Sequence, residues 1–311
     1  MLDNISRNIR SRKMDDKQFL ILIQFYDLGG ERMEDFHLLL KPTGAYISGT
    51  TSGVMSYSQP CSFLSPYISS YWGSERPTTE GSVQEFEPSL IVPDACVDII
   101  FTIDHSNGIV EGGFCGISDH PGYAWSIKDR TNISRFAIQF YFWGVQYFMS
   151  DSIERSYNSY VDIEAYFPGW KNFFERLLLD KIDFHERVKL TDQFLKKKFQ
   201  PNHYNQNVVN ALSHILHAKG ISSVKETCNY AVISQRQLER LFKGYFGMGI
   251  KKVSDLIRYQ NLWHDIAFAK IGTIQDAVDK YYYVDQAHLL NNFRKYHTMT
   301  PREALKTAWR R

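Results

Sequence analysis

The chain has 311 residues, long enough for two domains with real cores, and 36 Lys+Arg against 34 Asp+Glu leave a formal net charge of +2. Its four cysteines, Cys61, Cys96, Cys115 and Cys228, show no CxxC or Cys/His ligand spacing, so free thiols are expected and no metal or cofactor. No run approaches the ~18 apolar residues of a membrane span, and residues 1 to 18 carry no hydrophobic signal segment, which predicts a cytoplasmic protein with no membrane partner.

From Phe19 to about Tyr141 the chain is rich in short β-type runs: FLILIQFYDL from Phe19, HLLLKP from His37, IVPDACVDIIF from Ile91 and FAIQFYFW from Phe136. Clusters of Gly, Pro, Ser and Asn separate them, which predicts an antiparallel barrel or sandwich. Residues 1–55 stay unassigned apart from their β-type run. Between Trp170 and Phe199 the period turns helical, through Phe173, Phe174, Leu177 and Leu178, then Val188, Phe194 and Leu195. These stripes exceed what two short helices need between themselves, so the pair is the expected carrier of coupling, through a contact with the C-terminal domain or a dimer interface. Pro201 to Asn207 is polar and reads as a linker.

Catalytic chemistry is thinly supported in this half. A metal cupin needs a closely spaced His-x-His with a further Glu and His, whereas His37, His105 and His120 are isolated. Asp94 and Asp98 flank Cys96, and a turn carboxylate, a strand thiol and a strand-end carboxylate explain all three. Trp72, Trp125, Phe140 and Trp143 could line a small-molecule effector pocket; the competing reading of such aromatics is plain core.

The C-terminal third repeats itself. Ser234 to Met248 reads SQRQLERLFKGYFGM and Asp285 to Met299 reads DQAHLLNNFRKYHTM, an offset of 51 that pairs Leu238 with Leu289, Phe242 with Phe293 and Tyr245 with Tyr296. Upstream, at an offset of 50, Ser223 pairs with Thr273, Val224 with Ile274 and Glu226 with Asp276. Ser223 and Thr273 are N-cap types with a carboxylate three residues later, and Ser234 and Asp285 are cap types again. Two matched cap-helix-turn-cap-helix units are a repeated helix-turn-helix. The outer face of the first carries Gln235, Arg236, Glu239, Arg240 and Lys243, the side chains that major-groove reading requires. Charge agrees: residues 205–311 hold 16 Lys+Arg against 8 Asp+Glu, leaving the first 204 residues acidic.

At these residues the sequence resembles the AraC/XylS family of bacterial transcription regulators, over about Asn207 to Arg311, including the Thr300-Pro301 that ends the family's signature. The resemblance implies two units joined by a long linker helix, here about Lys251 to Lys270, with Gly272 suited to its C-terminal cap. It implies Arg236, Glu239 and Arg240 as base readers in the first unit and Gln286, Ala287, His288 and Asn291 in the second, with Ser234 at the first helix start and Arg294 and Lys295 on phosphates. Four positions depart from the family pattern: Cys228 and Val232, then Val278 and Tyr282, stand where a small residue and then a Gly are usual. Gly249-Ile250 also replaces the usual Ser-Pro. Through the Tyr71-Trp72 strand, the turn and strand from Pro93-Asp94 to Asp98 and the closing helix pair, Pro60 to Phe199 resembles an uncharacterised cupin-like module that precedes some AraC-type domains.

The expectation is an α+β chain: an antiparallel β-domain with a helix pair over 56–200, a linker at 201–206 and an all-α DNA-binding domain over 207–311. It is a non-enzymatic regulator binding double-stranded DNA, with RNA polymerase, a small-molecule effector and a second copy of the chain as further partners. The alternative is a protein-interaction or catalytic cupin-like domain fused to a partly degenerate DNA-binding domain.

Overall fold

A computed structural model describes residues 33–45, 55–74, 89–124, 132–149, 151–181, 183–201 and 204–309. The β-type run from Phe19 and Trp125 lie outside them. Eight strands form: β1 (Met55–Ser58), β2 (Ile68–Ser74), β3 (Ser89–Ile91), β4 (Cys96–Asp104), β5 (Ile109–Cys115), β6 (Gly122–Ala124), β7 (Ile133–Tyr141) and β8 (Tyr160–Asp162). Six make one antiparallel sheet in the order β1-β2-β7-β4-β5-β8, and β3 pairs with β6 separately. β4 and β7 pair along their whole length, from Cys96 opposite Tyr141 to Asp104 opposite Ile133. Because side chains alternate across a strand, Ile99, Phe101, Ile103, Phe136 and Ile138 share the fully buried face. Asp98, Gln139 and Trp72 stand half-buried on the other.

The buried face is closed by the expected helix pair, α2 (Trp170–Asp180) and α3 (Phe184–Lys198). Phe101 stacks on Phe174 at 4.4 Å, Phe136 meets Phe184 at 5.9 Å, and the Tyr71 hydroxyl donates to Asp192 Oδ1 at 2.7 Å. The rest of the helical stripes meet each other, with Phe173 stacked on Phe194 at 4.0 Å. Their apolar surface is therefore used on the sheet and within the pair, and the junction with the C-terminal half is made elsewhere.

The run from His37 is not a strand. Phe36–Leu39 forms a short helix, α1, in which Phe36 is buried and Leu38 is 63% exposed, and Leu40 closes it in extended backbone. Three successive leucines do not distinguish a short helix from a strand.

Seven helices follow: α4 (Gln206–His217), α5 (Val224–Tyr230), α6 (Gln235–Phe246), α7 (Ile250–Ala267), α8 (Ile274–Lys280), α9 (Gln286–His297) and α10 (Pro301–Ala308). The repeat is visible in the backbone. Left-handed residues recur as Lys219 and Ala269 (φ 52° and 53°), Val232 and Tyr282 (52° and 53°), and Gly247 and Thr298 (75° and 61°). The first pair extends the repeat one helix upstream of the sequence match, to α4 and α7. It also corrects the cap of α7: Phe268 closes the helix and Ala269 takes the left-handed turn, with Lys270 N donating to Asp265 O at 2.8 Å. Gly272 has no positive φ.

Candidate nucleic-acid interface

Each unit is built from local cap chemistry. Ser223 and Glu226 form a reciprocal capping box on α5, as Thr273 and Asp276 do on α8. The Glu226 carboxyl is held below its usual value by the backbone and side-chain hydrogen bonds of Ser223. After the turn, Ser234 caps α6 and Asp285 caps α9, the latter accepting from His288 N at 2.7 Å. The turns pass through Val232 and Tyr282 in left-handed backbone, which disfavours any side chain and a β-branched one most.

The inward faces are as the spacing predicts. Leu238, Phe242 and Phe246 are buried on α6, and Leu289, Phe293 and Tyr296 on α9. Outward, the structure leaves Ser234, Gln235, Arg236, Arg240 and Lys243 exposed on the first unit. On the second it exposes Gln286, Ala287, His288, Asn291, Arg294 and Lys295. Three of these have side-chain hydrogen bonds: Gln286 Nε2 donates to Gln275 Oε1 at 3.1 Å, His288 Nδ1 accepts from Val284 N at 3.4 Å, and Lys295 Nζ donates to the Tyr296 hydroxyl at 3.5 Å. Glu239 differs from the other candidates. It is half-buried, and its Oε2 accepts from Ile250 N at 3.1 Å, at the start of the next helix.

A profile of the helix-turn-helix domain family matches residues 227–307, the span of these two units. Residues 227–307 form an AraC-type helix-turn-helix domain. Residues 56–162 match a domain of unknown function, DUF6597. No curated protein matches the chain. Solved structures of ToxT from Vibrio cholerae are similar at a distance. One has a TM-score of 0.41 at 10% identity, covering 82% of this chain and 98% of that one. The unsaturated fatty acid-bound form has a TM-score of 0.34 at 9% identity, covering 82% and 94%.

In the AraC-type domain α6 and α9 flank α7, whose 18 residues span about 27 Å at 1.5 Å per residue. The N-terminal half of the chain holds that helix at both ends. Near its start, Lys252 Nζ lies 3.1 Å from Asp119 Oδ2 and donates to the Tyr157 hydroxyl at 2.6 Å. Burial alone would raise the Asp119 carboxyl, but hydrogen bonds from Tyr157, Asn158, Lys252 and His120 outweigh it and hold it well below the usual range. Near its end, the buried Gln260 and Trp263 bond to the backbone of Thr43, Gly44 and Pro93. Further contacts reach the C-terminal end of α6: Ile153 N donates to Gly244 O at 3.3 Å and Gln146 Nε2 to Tyr245 O at 3.1 Å. Tyr204, in the stretch read as a linker, donates to Trp143 O at 2.7 Å and packs on Tyr245 at 4.6 Å. The junction contacts carried no sequence signal, since their partners lie in the other half of the chain.

Among the described members of the aromatic effector set, Phe140 and Trp143 lie apart from Trp72. Phe140 and Trp143 are fully buried, packed on Phe148 and Tyr141, while Trp72 stands on the opposite sheet face donating to Asp98 Oδ1 at 3.0 Å. That face holds a hydrogen-bonded chain: Ser70 to Gln139 at 3.1 Å, and Gln139 to Asp94 at 2.9 Å. Desolvation raises both carboxyls, Asp98 also through the charge of Asp94, and it pushes the Cys96 thiol well up. A thiol kept protonated is a poor nucleophile. Among the described residues no three His, Cys, Asp or Glu side chains gather to hold a metal, and no helix is long and apolar enough to cross a membrane.

Proposed function

We propose that the chain is a sequence-specific transcription regulator whose two helix-turn-helix units read successive major grooves, and whose β-domain sets the state of the DNA-binding domain. The observation that carries this reading is the pair of matched units, each opening its polar helix face to solvent, on either side of one 18-residue helix. Arg236 and Arg240 are the base readers of the first unit, because guanidinium groups there can bond guanine edges bidentately. Gln286, Ala287, His288 and Asn291 face the second groove. Arg294 and Lys295, with Gln235 and Lys243, supply contacts to phosphates. The first unit dominates specificity, since its exposed face is the richer in arginine.

Regulation follows from the junction. The N-terminal half of the chain grips both ends of α7 yet leaves both reading faces open, so a ligand or partner that favours another arrangement of the β-domain changes the pose of the units. A small-molecule effector, a second copy of the chain and RNA polymerase are the partners this role calls for. Catalysis is not part of the proposal.

Selection of bound duplexes from a random pool, with the full chain and with Arg240→Ala, tests it. The wild type yields a defined site; the variant loses roughly 1–3 kcal/mol and relaxes preference at one base position. A pool that stays random with the wild type contradicts sequence-specific binding.

A further inference from the structure

Every helix from Gln206 to Ala308 carries its own N-cap side chain except α7. Asn205, Ser223, Ser234, Thr273, Asp285 and Thr300 cap theirs, while α7 begins at Gly249 with no side-chain cap. Its first-turn amide is answered from the preceding helix instead, where Glu239 Oε2 accepts from Ile250 N at 3.1 Å. A Cβ at position 249 would overlap Oε1 of Glu239, so the missing side chain and the carboxylate fit together as one arrangement.

The internal repeat provides the comparison. At the offset of 51, Gly249 corresponds to Thr300, Ile250 to Pro301 and Glu239 to Leu290. The second unit has a local box, Thr300 with Glu303, and an apolar residue on its reading helix. The first unit has no local cap, and a carboxylate on its reading helix takes over. A carboxylate at a helix N-terminus meets the positive end of the dipole and makes a charge-assisted bond. Left in the groove, the same carboxylate would face phosphate.

We infer that Glu239 is a positioning residue: it ties the first reading helix to the start of α7 and thereby fixes the spacing at which the two units meet DNA. The inference rests on the two-groove reading above. A local cap on α7 would stabilise the helix equally but would not hold α6 against it.

The test uses the full chain, the selected site, and duplexes in which the separation between the two half-sites is changed by one base pair either way. Each added or removed pair rotates one half-site against the other, so the wild type loses about tenfold in affinity or more. Glu239→Gln, which keeps an acceptor oxygen, retains that discrimination. Glu239→Ala reduces it to about threefold or less. The double variant Glu239→Ala with Gly249→Ser, which restores a local cap in the space released, recovers the thermal midpoint but not the spacing discrimination. Discrimination by Glu239→Ala equal to wild type, or its recovery in the double variant, overturns the inference alone. A wild type indifferent to spacing overturns the two-groove reading and the inference with it.

Discussion

The side-chain amide of Gln260 pairs with both backbone groups of Thr43, accepting from its N–H at 2.8 Å and donating to its carbonyl at 3.2 Å. The same Nε2 also donates to Pro93 O at 2.7 Å, and Gln260 has no exposed surface. One turn on, Trp263 Nε1 donates to Gly44 O at 2.8 Å and His264 Nδ1 lies 3.1 Å from the Thr43 hydroxyl. Positions 260, 263 and 264 lie on one helix face, so this face of α7 is the seat of Thr43 and Gly44.

Gln260→Ala leaves the Thr43 amide and the Thr43 and Pro93 carbonyls facing a buried space. Orphaned buried groups cost about 1–3 kcal/mol each, and relaxation will offset part, so a loss of about 2–4 kcal/mol is expected. Urea unfolding measures it, and limited proteolysis should show new cleavage between residues 41 and 45. An unchanged midpoint and digestion pattern would mean that this contact does not hold the halves together.

Val232 and Tyr282 occupy left-handed turns at φ 52° and 53° and are 71% and 75% exposed, so their side chains return little packing for the strain. Val232→Gly should raise stability by about 1 kcal/mol and Tyr282→Gly by somewhat less, the β-branched residue being the worse fit. Thermal unfolding reads this directly. A destabilised Val232→Gly would show that the side chain makes a contact worth more than the strain.

The Asp94 and Asp98 carboxyls are held above the usual carboxylate range, first by desolvation and, for Asp98, next by the charge of its neighbour. The folded chain therefore keeps these protons at a pH where the unfolded chain, at about 3.9, has released them. The stability they contribute is full below about pH 4 and is lost as pH rises through the folded values. Asp98→Asn keeps an acceptor for the Trp72 indole and removes one charge. Its stability should gain on wild type as pH rises toward neutral, measured as the denaturant midpoint across the series. Parallel curves for the two proteins would contradict the assignment.

Much of the DNA-binding half was legible because its signals are local. Ser223, Ser234, Thr273 and Asp285 act within three residues of themselves, and Leu238, Phe242, Leu289 and Phe293 repeat at helical spacing. What escaped was set by partners distant in sequence. Thr43 meets Gln260 across 217 residues, and no periodicity records that. Glu239 on a polar helix face read as a base reader; the clue to its other role was Gly249 standing where the second copy has Thr300. The helix pair from Trp170 to Phe199 packs on the sheet through Phe174 and Phe184, because apolar stripes show how much surface is buried and not against what.

Hydroxyl-radical footprinting of the full chain on its selected site bears most directly on the central claim. Two units reading successive grooves from one rigid helix predict two protected segments per protomer, on one face of the duplex, about 34 Å apart. A single protected segment per protomer, or protection independent of sequence, would contradict it.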